Sequence, residues 1–113
     1  MNYSSAQLKV IAKNNPEDLV KIINNSSNIT ILTFGIEVLS AEVENEDLVL
    51  PVLKRLLKHI HALVRESSML GISSFYLDKK PPIEILERLK VISNTDPSPV
   101  LKEYAKDLLK DFC

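Results

Sequence analysis

Tryptophan is absent from this chain of 113 residues, glycine occurs twice and cysteine once. Two glycines cannot build a loop that cradles phosphate with successive backbone amides. A lone cysteine closes no internal disulfide, and as the final residue Cys113 reads as a frayed terminal thiol with no redox or metal role. Charge of one sign is missing as well. The formal net charge is −1, with bases and acids spread along the chain, so no long-range pull on nucleic acid or on an anionic membrane is expected. No apolar run approaches the roughly 18 residues of a membrane span, because Glu37 and several Ser and Thr interrupt the best candidate. The opening Met1-Asn2-Tyr3-Ser4-Ser5 lacks the basic start and apolar core of a secretory signal, and the expected location is the cytoplasm.

What the chain does have is helical periodicity. Apolar residues recur at spacings of three and four, and no alternating run is bounded by hairpin turns, so the expected fold class is all-α with about seven helices. Ser4 or Ser5 can cap a first helix over 4–14 that buries Leu8, Ile11 and Ala12, and Pro16 suits the first turn of the next. Asn28 can cap a third helix reaching Ala41, and Asp47 in the acidic loop from Glu42 can cap a fourth. Residues 48–77 carry a wide apolar stripe that includes Val52, Leu56, Ile60 and Leu63. With no Gly or Pro near Lys58-His59-Ile60-His61, they read either as one helix of roughly 45 Å or as two joined by a tight turn. Pro81-Pro82 and Asp96-Pro97-Ser98-Pro99 bound the last two helices, which carry Ile83, Leu86, Leu89 and Ile92, then Leu101, Tyr104, Ala105, Leu108 and Phe112. Short connections imply a single domain over 1–113, a stack of antiparallel pairs at roughly 16–42, 46–78 and 81–112 behind the N-terminal helix.

An internal repeat favours two helices in the ambiguous stretch. Gly35, Ser68 and Ala105 fall 33 and 37 residues apart, with Ile31, Val64 and Leu101 four before and Val38, Gly71 and Leu108 three after. Small residues at such a period suit close helix crossings in a helical array. At Val64-Arg65-Glu66-Ser67-Ser68, and at Asp96-Pro97-Ser98-Pro99 followed by Leu101-Lys102-Glu103-Tyr104-Ala105, the chain resembles the HEAT-repeat family. The first run looks like that family's Val-Arg-x-x-Ala signature in the second helix of a pair. The other looks like its Asp-x-x-Pro opening and the same signature with Lys for Arg. The resemblance spans about residues 16–112 but is carried by the last two pairs. His59 and Ser26 stand where Asp96 would recur, and Leu32 stands where Arg65 would recur, so the family's ladder of Asp and Arg contacts is largely missing.

Residues that bear chemistry are sparse. His59 and His61 would point about 160° apart on one helix and could not chelate a single metal there. The acidic run from Glu42 to Asp47 lacks the spaced Asp, Asn and Gly of a calcium loop. Lys54, Arg55, Lys58, His59 and Arg65 cluster locally, but a polyanion groove would want aromatics to stack on bases, and the chain has only three Tyr and three Phe. No Ser, Thr or Cys sits in a nucleophile motif. The expectation is a protein that is not an enzyme, with no cofactor and no catalytic or metal residue.

A stack of helix pairs exposes a ridge of equivalent helices suited to a protein partner. The candidate contacts on that ridge are Glu37, Arg65, Glu66, Met69, Tyr76, Glu103 and Lys106. HEAT resemblance implies scaffold or adaptor work, and some HEAT-like proteins clasp nucleic acid on a basic face, the reading disfavoured here. The chain begins with Met and reads as complete at three pairs. A compact stand-alone stack of this kind resembles some bacterial immunity proteins, which neutralise a cognate toxin by covering its surface, and that is the favoured expectation.

Overall fold

The computed structural model describes residues 3–112, so Cys113 lies outside the described residues. Within them every regular element is an α-helix: α1 (Ser5–Asn14), α2 (Pro16–Asn24), α3 (Ile29–Glu42), α4 (Glu46–Leu56), α5 (Ala62–Phe75), α6 (Ile83–Thr95) and α7 (Pro99–Phe112). The expected all-α class and the count of seven are both met.

Short polar side chains begin α1, α3, α4 and α7 by accepting from amides that have no intrahelical acceptor, whereas α2 and α6 have no side-chain cap. Ser4 Oγ accepts from Gln7 N at 3.1 Å while Ser4 N donates to Gln7 Oε1 at 2.8 Å, a reciprocal capping box. Asn28 Oδ1 accepts from Ile31 N, and Pro16 occupies the first turn of α2. One cap differs from expectation. Asn45, not Asp47, caps α4, its Oδ1 accepting from Asp47 N at 3.0 Å. Asp47 and Glu46 lie in the first turn instead, where negative charge opposes the positive end of the helix dipole. Pro51 is therefore inside α4 and deprives it of one ladder hydrogen bond.

The chain divides into two compact units, Met1–Phe75 and Tyr76–Cys113. In the first, α3 packs against all four of the others, most extensively α5. Its sequence explains this position. Between Ile29 and Glu42 there is no basic residue, and apolar side chains occur on nearly every side, the pattern of a helix enclosed by neighbours. Its exposed residues are only Thr30, Phe34, Glu37 and Ala41, spaced four, three and four, a single stripe down the helix. Leu32, Ile36 and Leu39 are fully buried, each contributing about 2 kcal/mol relative to exposure.

Both glycines serve close packing in this unit. A Cβ on Gly35 would lie 2.7 Å from Ile23 Cγ1 of α2. One on Gly71 would lie 2.5 Å from Ser40 Oγ and 3.1 Å from both Ile36 Cγ2 and Leu53 Cδ2. The hydroxyls buried nearby are satisfied within their own helices, Ser40 Oγ donating to Ile36 O and Ser68 Oγ to Val64 O.

The second unit is the pair α6 and α7, which pack on each other. Leu89, Ile92, Leu101, Ala105 and Leu108 are buried there, whereas Ile83, expected inward, is exposed because Pro82 is the cap and Ile83 only the first helical residue. The three-residue link is held by the buried Asp96, whose Oδ1 accepts from Ser98 N at 2.9 Å, and by Ser98 Oγ, which accepts from Leu101 N.

Candidate functional site

Two regions beside α5 collect several of the residues that sequence reasoning singles out, and they differ in chemistry. The first is the turn from α4. The chain leaves α4 by tightening, Lys58 N bonding Arg55 O and His59 N bonding Leu56 O, both across three residues. Imidazoles then supply the acceptors that a glycine or proline turn would not need. His59 Nδ1 accepts from His61 N at 3.0 Å, and His61 Nδ1 accepts from Leu63 N at 3.2 Å, placing an imidazole where a helix cap normally sits. Arg65 closes the turn from below, its Nη1 donating to His59 O at 2.9 Å and Ile60 O at 3.0 Å. The tip, Ile60, is 94% exposed. Thus Ile60 and Leu63, expected on the buried stripe, face outward because the turn resets the helical phase.

Both histidine acceptors require an imidazole whose Nδ1 is unprotonated. Burial, and then the neighbouring His61, Arg55 and Arg65, hold the His59 pKa below its ordinary value of 6.5. The basic cluster has little left to offer a ligand: Arg65 is only 9% exposed, and Arg55 Nη2 donates to Asn24 Oδ1 at 2.8 Å. Among the described residues there is no group of three or more His, Cys, Asp or Glu that could hold a metal, and no helix long and apolar enough to cross a membrane.

The second region is a groove of about 380 Å³ between α3 and α5, lined by Thr33, Phe34, Glu37, Ser40, Ala41, Ser67, Leu70, Gly71 and Ser74. Phe34 is 38% and Leu70 55% exposed, two large apolar side chains on opposite walls. The floor stays low because Gly71 and Ser40 bring the helices close. Glu37 is the only charged lining residue and has no hydrogen-bond or ion-pair partner among the described residues. Larger hollows exist, one of about 490 Å³ between α2 and α4 and one of about 440 Å³ around Asn25 to Asn28. Neither contains an exposed large apolar side chain, and Arg55 bridges the former to Asn24. Apolar exposure beside an unpaired charge marks the smaller groove as the better candidate.

The seven expected contact residues divide accordingly. Glu37 lines the groove, and Glu66 is half-buried one turn before Leu70 on α5. Arg65 is committed to the turn. Met69 and Tyr76 are 0% and 1% exposed and so, as folded, present no surface to a partner. The reason is phase: the outward stripe of α5 passes through Leu63, Ser67, Leu70 and Ser74, leaving positions 65 and 69 behind it. Tyr76 has the Lys79 ammonium 5.7 Å from its ring centroid. Glu103 and Lys106 are exposed in the second unit and pair with each other at 3.3 Å. Phe34, Leu70 and the small residues of the floor were not anticipated. Their signal was the outward helical phase, obscured on α3 because apolar residues surround it.

Compared with family models, with curated proteins and with solved structures, the chain matches none.

Proposed function

We propose that this chain is a non-enzymatic protein-binding module, built as a stack of antiparallel helix pairs of the HEAT-like kind, and that a partner docks on the α3–α5 face. The observation that carries the reading is the groove itself, with Phe34 and Leu70 exposed across a floor of small residues and Glu37 unpaired between them. Exposed aromatic and aliphatic side chains beside a pocket are the usual anchors of a protein interface. The connections of three residues, 43–45 and 96–98, favour antiparallel neighbours because so short a link returns the chain on itself.

Within this class the favoured role is a cytoplasmic inhibitor of the immunity type, which neutralises a bacterial toxin by covering its working surface. Such a role needs shape and charge complementarity and no catalytic group. The scaffold or adaptor reading uses the same surface but a constitutive partner. A nucleic-acid role would have little to rest on beyond Lys58, since Lys54, Arg55 and Arg65 are already engaged.

Co-expression with each protein encoded beside its gene tests the proposal. The expected result is that one neighbour arrests growth, that this chain restores it, and that the two elute as one complex. A Phe34→Ser, Leu70→Ser double variant with unchanged helicity should lose the complex. Full complex formation by that variant would overturn the placement of the interface, and harmless neighbours that form no complex would overturn the inhibitor role.

A further inference from the structure

We infer that the α3–α5 groove receives a basic amphipathic helix from its partner, an inference that rests on the protein-binding reading and names the chemistry of the occupant. The argument begins with charge. From Ile29 to Glu42, α3 carries Glu37 and Glu42 and no base. The one base of α5, Arg65, is buried and donates to two turn carbonyls, while Glu66 is half-buried at the surface. Every charge these two helices present to solvent is therefore negative. An apolar or acidic occupant would strip water from Glu37 and return nothing, at the cost of a desolvated carboxylate. A Lys or Arg reaching Glu37 offsets that cost and fixes the occupant's register.

Shape selects a helix. The described residues contain no strand, so an extended peptide finds no sheet edge to join. A polyproline segment needs an aromatic-lined trough, and Phe34 is the sole aromatic here. Two neighbouring helices with outward stripes leave instead a trough into which the side chains of a third can interdigitate. The lining runs from Thr33 to Ala41 on one wall and from Ser67 to Ser74 on the other, about 10 to 12 Å or two helical turns. The occupant thus places apolar anchors at i, i+3 or i+4, and i+7 between Phe34 and Leu70, with a base one turn away facing Glu37.

Two fluorescein-labelled 14-residue peptides test this, both with Leu at spacings of three and four, one filled with Lys and Ala and the other with Glu and Ala. In anisotropy titrations the lysine peptide should bind about tenfold or more tighter than the glutamate peptide, and lose affinity as sodium chloride rises. Amide shift changes should cluster at 30–41 and 63–74. Glu37→Lys, whose exposed side chain leaves folding intact, should weaken the lysine peptide about fivefold and strengthen the glutamate peptide. Equal affinity of the two peptides, indifference to Glu37→Lys, or shift changes elsewhere would overturn the inference. If the natural partner is lost with Phe34→Ser, Leu70→Ser while the peptides show no charge preference, only the basic helix falls. Undiminished binding of the natural partner to that variant would remove the docking site as well.

Discussion

The turn before α5 and the groove along it show opposite uses of side-chain chemistry. At the turn, two imidazoles and a guanidinium are consumed internally, each satisfying backbone groups that a Gly or Pro turn would satisfy otherwise. Along the groove, Glu37 has no hydrogen-bond or ion-pair partner among the described residues, and Phe34 and Leu70 keep 38% and 55% of their surface exposed. The difference teaches that a reactive residue type is weak evidence of a site until its own bonds are counted. What remains unspent marks the surface available to a partner.

The largest effects should come from closing the groove from below. Gly71→Leu forces a side chain into Ser40, Ile36 and Leu53 and should cost about 3 kcal/mol, read from the urea midpoint. Gly71→Ala should still destabilise, by about 1 kcal/mol, because Ser40 Oγ is held by its bond to Ile36 O. Gly35→Ala should likewise destabilise, by about 1 kcal/mol in spite of its gain in helix propensity, because its Cβ would lie 2.7 Å from Cγ1 of Ile23, the inner atom of a branched side chain that is itself fully buried. A neutral Gly35→Ala would mean that Ile23 can shift and that its crossing is looser than the one at Gly71.

The next effect tests the turn. Arg65→Met keeps the stem but leaves the carbonyls of His59 and Ile60 without their donor, and should cost about 2 kcal/mol while groove binding persists at native concentration of folded protein. Neutral behaviour would mean the turn is held by its imidazoles alone. Phe34→Ser should cost about 1 kcal/mol, since its side chain is 38% exposed and the rest is covered, yet abolish partner capture by the protein that remains folded.

The smallest effect concerns pH. The folded His59 pKa lies below the unfolded 6.5, so between the two values the unfolded chain binds a proton that the folded chain refuses. Stability present above pH 6.5 is therefore lost as pH falls through the folded value. His59→Asn should flatten that part of the stability profile, and an unchanged slope would assign it to other groups.

Much of the fold was legible because its signals are local. Ser4, Asn28 and the prolines at 16, 82 and 99 punctuate the helices where side-chain and backbone chemistry require. Where the signal was nonlocal, legibility failed. The break at 57–61 carries no Gly or Pro and depends on Arg65 reaching back five and six residues, so periodicity left it undecided. Met69 reads as outward from spacing alone because spacing gives a phase only relative to a neighbour, and the neighbour of α5 is α3, while Tyr76 lies past the end of α5, where that helix's phase no longer applies. The groove was invisible for the same reason: Ser67, Ser74 and Ala41 become a floor or wall only when two helices lie side by side.

The position of α3 among four helices has a further consequence. Amides in its middle can exchange with solvent deuterium only when the unit opens as a whole, whereas the ends of α1 should exchange by local fraying. The exposed stripe of α3 should thus belong to the most slowly exchanging helix of its unit. A surface so preorganised loses little freedom when occupied, so affinity there should be limited by the ordering of the incoming segment.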